Sequence, residues 1–148
     1  MKKVIIEWIA LLYVCLMLYT AISKLMDYNI TREQMGMMPL LNPIAGWLVW
    51  VLPITEMLIA ILLFVPRFRL KGLYLVTGLM VIFTLYIIIM MIYDDNLPCS
   101  CGGFLQELSW NDHLIFNGVF IVLGLTAIVL FRGQWTFKKA SKNIAPYY

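Results

Sequence analysis

The sequence predicts an all-α protein, a bundle of four helices embedded in a membrane. Three observations predict it. Hydrophobic residues make up 63% of the 148 residues and charged residues only 13%, about half the charged share of a soluble domain. Mean hydropathy is +0.89. The apolar residues also fall into four runs, each near the roughly 20 residues that a helix needs to cross a bilayer. Together these runs use most of the length, so a single transmembrane domain over 1–148 is expected, with no second domain.

The first span is expected from about Val4 to Met26. Lys2 and Lys3 precede it as they would a signal peptide, and Ala21-Ile22-Ser23 faintly resembles a cleavage site. The run is longer than the ~7–15 residues of a signal's apolar core, so a retained helix is expected. At about 100° per residue, Ala10, Tyr13, Met17, Thr20 and Lys24 share one face. Cys15 lies nearly opposite Lys24 and is assigned the role of a small buried hydrophobe.

From Asp27 to Pro43 the chain is more polar. Thr31-Arg32-Glu33-Gln34 has the form of a capping box, in which two side chains satisfy free backbone amides at a helix start. A short helix on the membrane surface is expected there, followed by Met35, Met37 and Met38.

The second span is expected over about 44–65 and the third over about 72–93. The link Pro66–Lys71 is short, which makes these two spans antiparallel neighbours. The fourth span is expected over about 113–131, after a loop at 94–112, and a basic tail follows Phe131.

Orientation follows from the basic residues. Nine of the eleven Lys and Arg (Lys2, Lys3, Arg67, Arg69, Lys71, Arg132, Lys138, Lys139, Lys142) fall on one side, and only Lys24 and Arg32 on the other. The positive-inside rule then places both termini in the cytoplasm and the 94–112 loop outside, in a bacterial inner membrane. Trp8 and Trp135 fall near the inner interface, Trp47 and Trp110 near the outer one. The basic residues flank apolar spans and form no stripe, so no nucleic-acid partner is expected.

The loop holds Pro98-Cys99-Ser100-Cys101-Gly102-Gly103. Two cysteines at i and i+2 fall within the ~4.4–6.8 Å that a disulfide spans in most bent conformations. The closed ring is small, and strained bridges are easier to reduce. Their outward side is one where disulfides persist. Gly102 and Gly103 let a partner approach the sulfurs. Ser109-Trp110-Asn111-Asp112 reads as the cap of the fourth span, and a helix N-terminus favours thiolate. His113 opens that helix, either as a base or cation beside the cysteines or as an interfacial residue bonded to loop backbone.

Polar residues within spans are costly and usually functional. Glu56 lies mid-span, three residues after Pro53; Lys24 lies near an outer end, where it can snorkel; Asn117 is one turn below His113. Glu56 and Asn117 are expected to face the bundle interior. Counting ~1.5 Å per residue leaves Lys24 and Glu56 about 10 Å apart in depth. Glu56 is therefore expected to be protonated, or to bond a Tyr or Thr of a neighbouring helix. It serves either as polar glue or as a proton or ligand site.

In their order and spacing, Ala21-Ile22-Ser23-Lys24-Leu25, Pro39, Pro53-Ile54-Thr55-Glu56, Cys99-Ser100-Cys101-Gly102-Gly103 and Ser109-Trp110 through Asn117 resemble the MauE/DoxX-like redox-associated membrane proteins, named in part for methylamine utilisation. The resemblance covers nearly all four spans. It implies a four-helix membrane bundle that works beside a periplasmic thioredoxin-like protein to make or preserve disulfides in a client, with Cys99 and Cys101 as the exchanging pair. The chain departs from many relatives in having Ser100-Cys101-Gly102-Gly103 where they show Gly-Cys-Phe-Gly.

The expectation is thus a thiol–disulfide protein. One cysteine pair plus Cys15 does not make a two-pair relay, so Cys99 and Cys101 exchange with a partner protein, reach a bilayer quinone, or only position a client. The quinone rests on the loop's interfacial position, and no other cofactor is expected. Two other classes stay open. One is a soft-metal handler for Cu(I), using Cys99 and Cys101 with Met35, Met37 or Met38. The other is a non-catalytic subunit of a membrane complex with a static cysteine staple.

Overall fold

The computed structural model describes residues 1–38, 41–93 and 110–143. The described elements are all helical: α1 (Lys2–Met26), α2 (Tyr28–Met37), a 3-10 turn (Asn42–Ile44), α3 (Ala45–Phe64), α4 (Arg69–Tyr93) and α5 (Trp110–Asn143). Among the described residues four stretches are long and apolar enough to cross a membrane: Lys2–Met26, Asn42–Phe64, Arg69–Ile92 and Asn111–Gly133. The chain is a multi-pass membrane helix bundle.

The four long helices close into a ring. α1 packs against α3 and α5, and α4 packs against α3 and α5. Their outward surfaces carry Leu11, Val51, Ile54, Ile82 and Val122, all exposed. In water such a surface would be an aggregation liability. In a bilayer it is the surface that lipid solvates.

Close helix approach depends on small residues, because lipid supplies no hydrophobic drive for helices to associate. A Cβ at Gly124 of α5 would lie 2.3 Å from Thr77 Oγ1 of α4 and 2.7 Å from the Tyr13 hydroxyl of α1. That glycine therefore lets three helices meet. Tyr13 uses the room: its hydroxyl donates to the Phe120 carbonyl oxygen. Its ring meets the Phe120 ring edge-to-face, centroids 5.4 Å apart. At the α3–α4 turn a Cβ on Gly72 would lie 3.0 Å from both the backbone nitrogen and Cγ of Leu63. At the same end Glu7 faces Lys3 at 3.9 Å and Arg69 at 3.8 Å. The Lys3–Glu7 pair is exposed and of small energetic weight, whereas Arg69 is half-buried.

Two sequence expectations need correction. The capping box at Thr31–Gln34 does not start a helix. α2 begins at Tyr28, and the Thr31 amide already bonds to the Asp27 carbonyl. Asp27 is the single residue between α1 and α2; its own amide closes α1 on the Ser23 carbonyl. Thr31 and Gln34 lie inside the helix, where Thr31 Oγ1 and Gln34 Oε1 are buried without hydrogen-bond partners among the described residues. Secondly, Cys15 is exposed rather than buried, because it lies on the side of α1 away from α3 and α5. The basic tail after Phe131 continues α5 as helix to Asn143.

Candidate functional site

A cavity of about 240 Å³ lies inside the half of the bundle that holds the end of α1, the start of α3 and the start of α5. Its walls are mostly apolar, with Leu16, Leu48, Leu52, Leu79, Phe83 and Phe116 among them. Lys24, Glu56, His113 and Asn117 also line it. All four are buried. These residues come from three separate spans.

Its central feature is an ion pair. Lys24 Nζ donates to Glu56 Oε1 at 2.8 Å, with side chains 3% and 2% exposed. Depth counting separates the two by ~10 Å and turns Lys24 toward the outer surface. The correction has a geometric cause. A helical Cα–Cβ bond tilts toward the helix N-terminus. α1 and α3 are antiparallel, so the Lys24 stem leans inward along α1 while the Glu56 stem leans outward along α3. Two side chains at different depths thus converge. Lys24 does not snorkel to the interface; its ammonium stays in the bundle.

Glu56 Oε2 is buried and has no hydrogen-bond partner among the described residues. Of the carboxylate's two oxygens Oε1 takes the Lys24 ammonium, and the Thr20 hydroxyl of α1 stands beside the carboxyl group, as expected of a Thr on a neighbouring helix. A buried acceptor left without a partner costs on the order of 1–3 kcal/mol. Thr20, one turn from Lys24 on α1, also lines the cavity, but its hydroxyl bonds back to the Leu16 and Met17 carbonyls at 3.0 and 3.2 Å. Pro53, one turn before Glu56, withholds the amide that would bond the Val49 carbonyl.

α2 and the segment after it cover one side. Met35 and Met38 are buried and line the cavity, whereas Met37 is 60% exposed and points elsewhere. The Tyr86 hydroxyl donates to Met38 Sδ at 2.6 Å, tying α4 to the end of α2. Tyr28 packs on Trp50, ring centroids 5.3 Å apart.

The bundle thus brings together Lys24, Glu56, His113 and Asn117. Cys99 and Cys101, with Ser109, lie outside the described residues. In sequence they belong to the connection from Tyr93 to Trp110, and His113 lies in the first turn of the helix that follows. Sequence reasoning missed Tyr86, Phe83 and Phe116 as cavity residues. Within runs this apolar, nothing local separates a cavity aromatic from one facing lipid. Thr20 carried a signal, since it shares the Lys24 face of α1.

The fold and cavity define a multi-pass membrane protein with a buried polar site inside a four-helix bundle. A family model described as "Methylamine utilisation protein MauE" matches residues 2–131, and the chain belongs to that family. No curated protein and no solved structure matches the chain.

Proposed function

We propose that this chain is a thiol–disulfide protein of the bacterial inner membrane that supports disulfide formation or maturation of a periplasmic client, together with a thioredoxin-like partner. The observation that carries the reading is the Cys99-Ser100-Cys101-Gly102-Gly103 motif in the connection between α4 and α5. Family membership supports it, and the family's description suggests methylamine utilisation as the setting. The distribution of Lys and Arg supports an outward motif and cytoplasmic termini.

The chemistry needs one thiolate and one disulfide. In the oxidising direction a partner thiolate attacks the Cys99–Cys101 disulfide and forms a mixed disulfide, releasing one of the two as thiolate. A second partner thiol then attacks the mixed disulfide, and the partner leaves oxidised. Both Cys99 and Cys101 remain as thiols. In the opposite direction the same steps reverse. His113, at the start of α5, is the proposed base or cation for thiolate formation. Lys24, Glu56 and Asn117 form the polar part of the cavity that His113 also lines.

The test is to trap the intermediate. A Cys101→Ser variant expressed in cells and purified under acid quench is expected to carry a dithiothreitol-sensitive, higher-mass adduct with a partner through Cys99. Cys99→Ser serves as the reciprocal variant. If neither single variant forms an adduct, while both fold and insert, the cysteines are a static feature and the reading fails.

A further inference from the structure

We propose that the cavity between α1, α3, α4 and α5 binds the ring of a bilayer-soluble hydroquinone, with one ring hydroxyl donating to Glu56 Oε2.

Four observations select this ligand. Oε2 is a buried acceptor with no partner among the described residues, so a donor on an occupant would pair it. The cavity's acid and its lysine already neutralise each other at 2.8 Å, so the pair offers a charged occupant no net counter-charge against its desolvation cost. The ligand is therefore neutral. The volume, about 240 Å³, lies just below the ~300 Å³ at which pockets for drug-sized molecules begin. It suits one ring, with any tail outside. Phe83, Tyr86 and Phe116 supply aromatic surface for that ring.

The route in is set by Ile82. It lines the cavity and is 63% exposed, in the middle of α4. It therefore stands at a mouth that opens sideways, onto the surface that lipid covers. A ligand dissolved in the bilayer enters there and leaves its apolar tail among acyl chains. The Asn117 amide, on a third helix, offers both a donor and an acceptor to the rest of the ring. The binding site does not depend on the cysteines; use of the oxidised ring as electron acceptor for Cys99 and Cys101 would rest on the thiol–disulfide reading.

The experiment uses the whole protein in lipid nanodiscs, titrated with decylubiquinol held reduced, with quenching of tryptophan fluorescence as readout. Dioctanoylglycerol is the control for a neutral lipid that carries a hydroxyl and no ring. Saturable binding of the quinol, and at least tenfold weaker binding of dioctanoylglycerol, are expected. Two variants probe the contacts. Leu52→Trp fills the cavity and leaves the ion pair. Lys24→Met with Glu56→Met removes the acceptor and its partner together, so no lone buried charge remains to prevent folding. Both are expected to keep the wild-type unfolding temperature within a few degrees and to weaken quinol binding roughly tenfold or more. The Cys99→Ser, Cys101→Ser double variant is expected to bind as wild type, so a failure of the thiol reading leaves this result standing. No saturable binding by the wild type, equal binding of dioctanoylglycerol, or binding that survives in folded cavity variants would overturn the proposal.

Discussion

Lys24 and Glu56 form a buried ion pair at 2.8 Å between the first and second membrane-spanning helices, although 32 residues separate them in sequence. The pair closes α1 onto α3 above the apolar core formed by Tyr13, Met17, Ile59 and Leu63. Removing one partner leaves a charge in a low-dielectric interior, which costs about 3–5 kcal/mol. Replacing both with apolar groups of similar volume is often neutral or stabilising. Lys24→Met alone and Glu56→Met alone are therefore each expected to destabilise the protein strongly, and the double variant is expected to recover most of the loss. Unfolding of the detergent-solubilised protein, followed by helix content, checks this. Additive single and double effects would mean that the pair is not coupled.

Gly124 sits where α1 and α4 both reach α5. Gly124→Ala is expected to destabilise by about 1–3 kcal/mol, the usual range for overpacking, because the new Cβ would lie 2.3 Å from Thr77 Oγ1. Thr77→Ala in the same chain is expected to return part of that loss. Gly118→Ala is the control: nothing lies within 4 Å of a Cβ there, so the change is expected to be neutral. Melting temperatures of the three variants decide it.

Topology is tested by labelling. In intact cells, after reduction, a membrane-impermeant maleimide is expected to modify Cys99 and Cys101 in a Cys15→Ser background. Modification only after permeabilisation would reverse the proposed orientation. Retaining Cys15 alone is expected to give no labelling with the impermeant reagent, since Cys15 is exposed on the lipid-facing side of α1.

The redox midpoint of the Cys99–Cys101 pair separates exchange from stapling. Titration of the purified protein against glutathione is expected to give a midpoint between about −120 and −270 mV, the span of exchange-active proteins. A pair that stays oxidised below about −300 mV would behave as a structural disulfide. Each 30 mV corresponds to ~1.4 kcal/mol for the two-electron couple, so the two outcomes are well separated.

The sequence by itself determined the four spans and the buried face of α1. Apolar run length sets the first through bilayer thickness. The helical period sets the second, and Ala10, Tyr13, Met17, Thr20 and Lys24 are all buried. The interior placement of Glu56 and Asn117 follows from the same cost of polar groups in lipid. It did not determine where α2 starts, because the Asp27 carbonyl captures the Thr31 amide before the Thr31 side chain can act as a cap. Nor did it reveal that Cys15 faces outward, since a cysteine's small apolar side chain suits either lipid or core. Only the tertiary structure decided that Lys24 meets Glu56, and that Asn117, His113 and Tyr86 share a cavity with them. Depth along one helix is readable from residue counts. Contact between two helices depends on their antiparallel packing, which tilts the two stems toward each other from opposite ends.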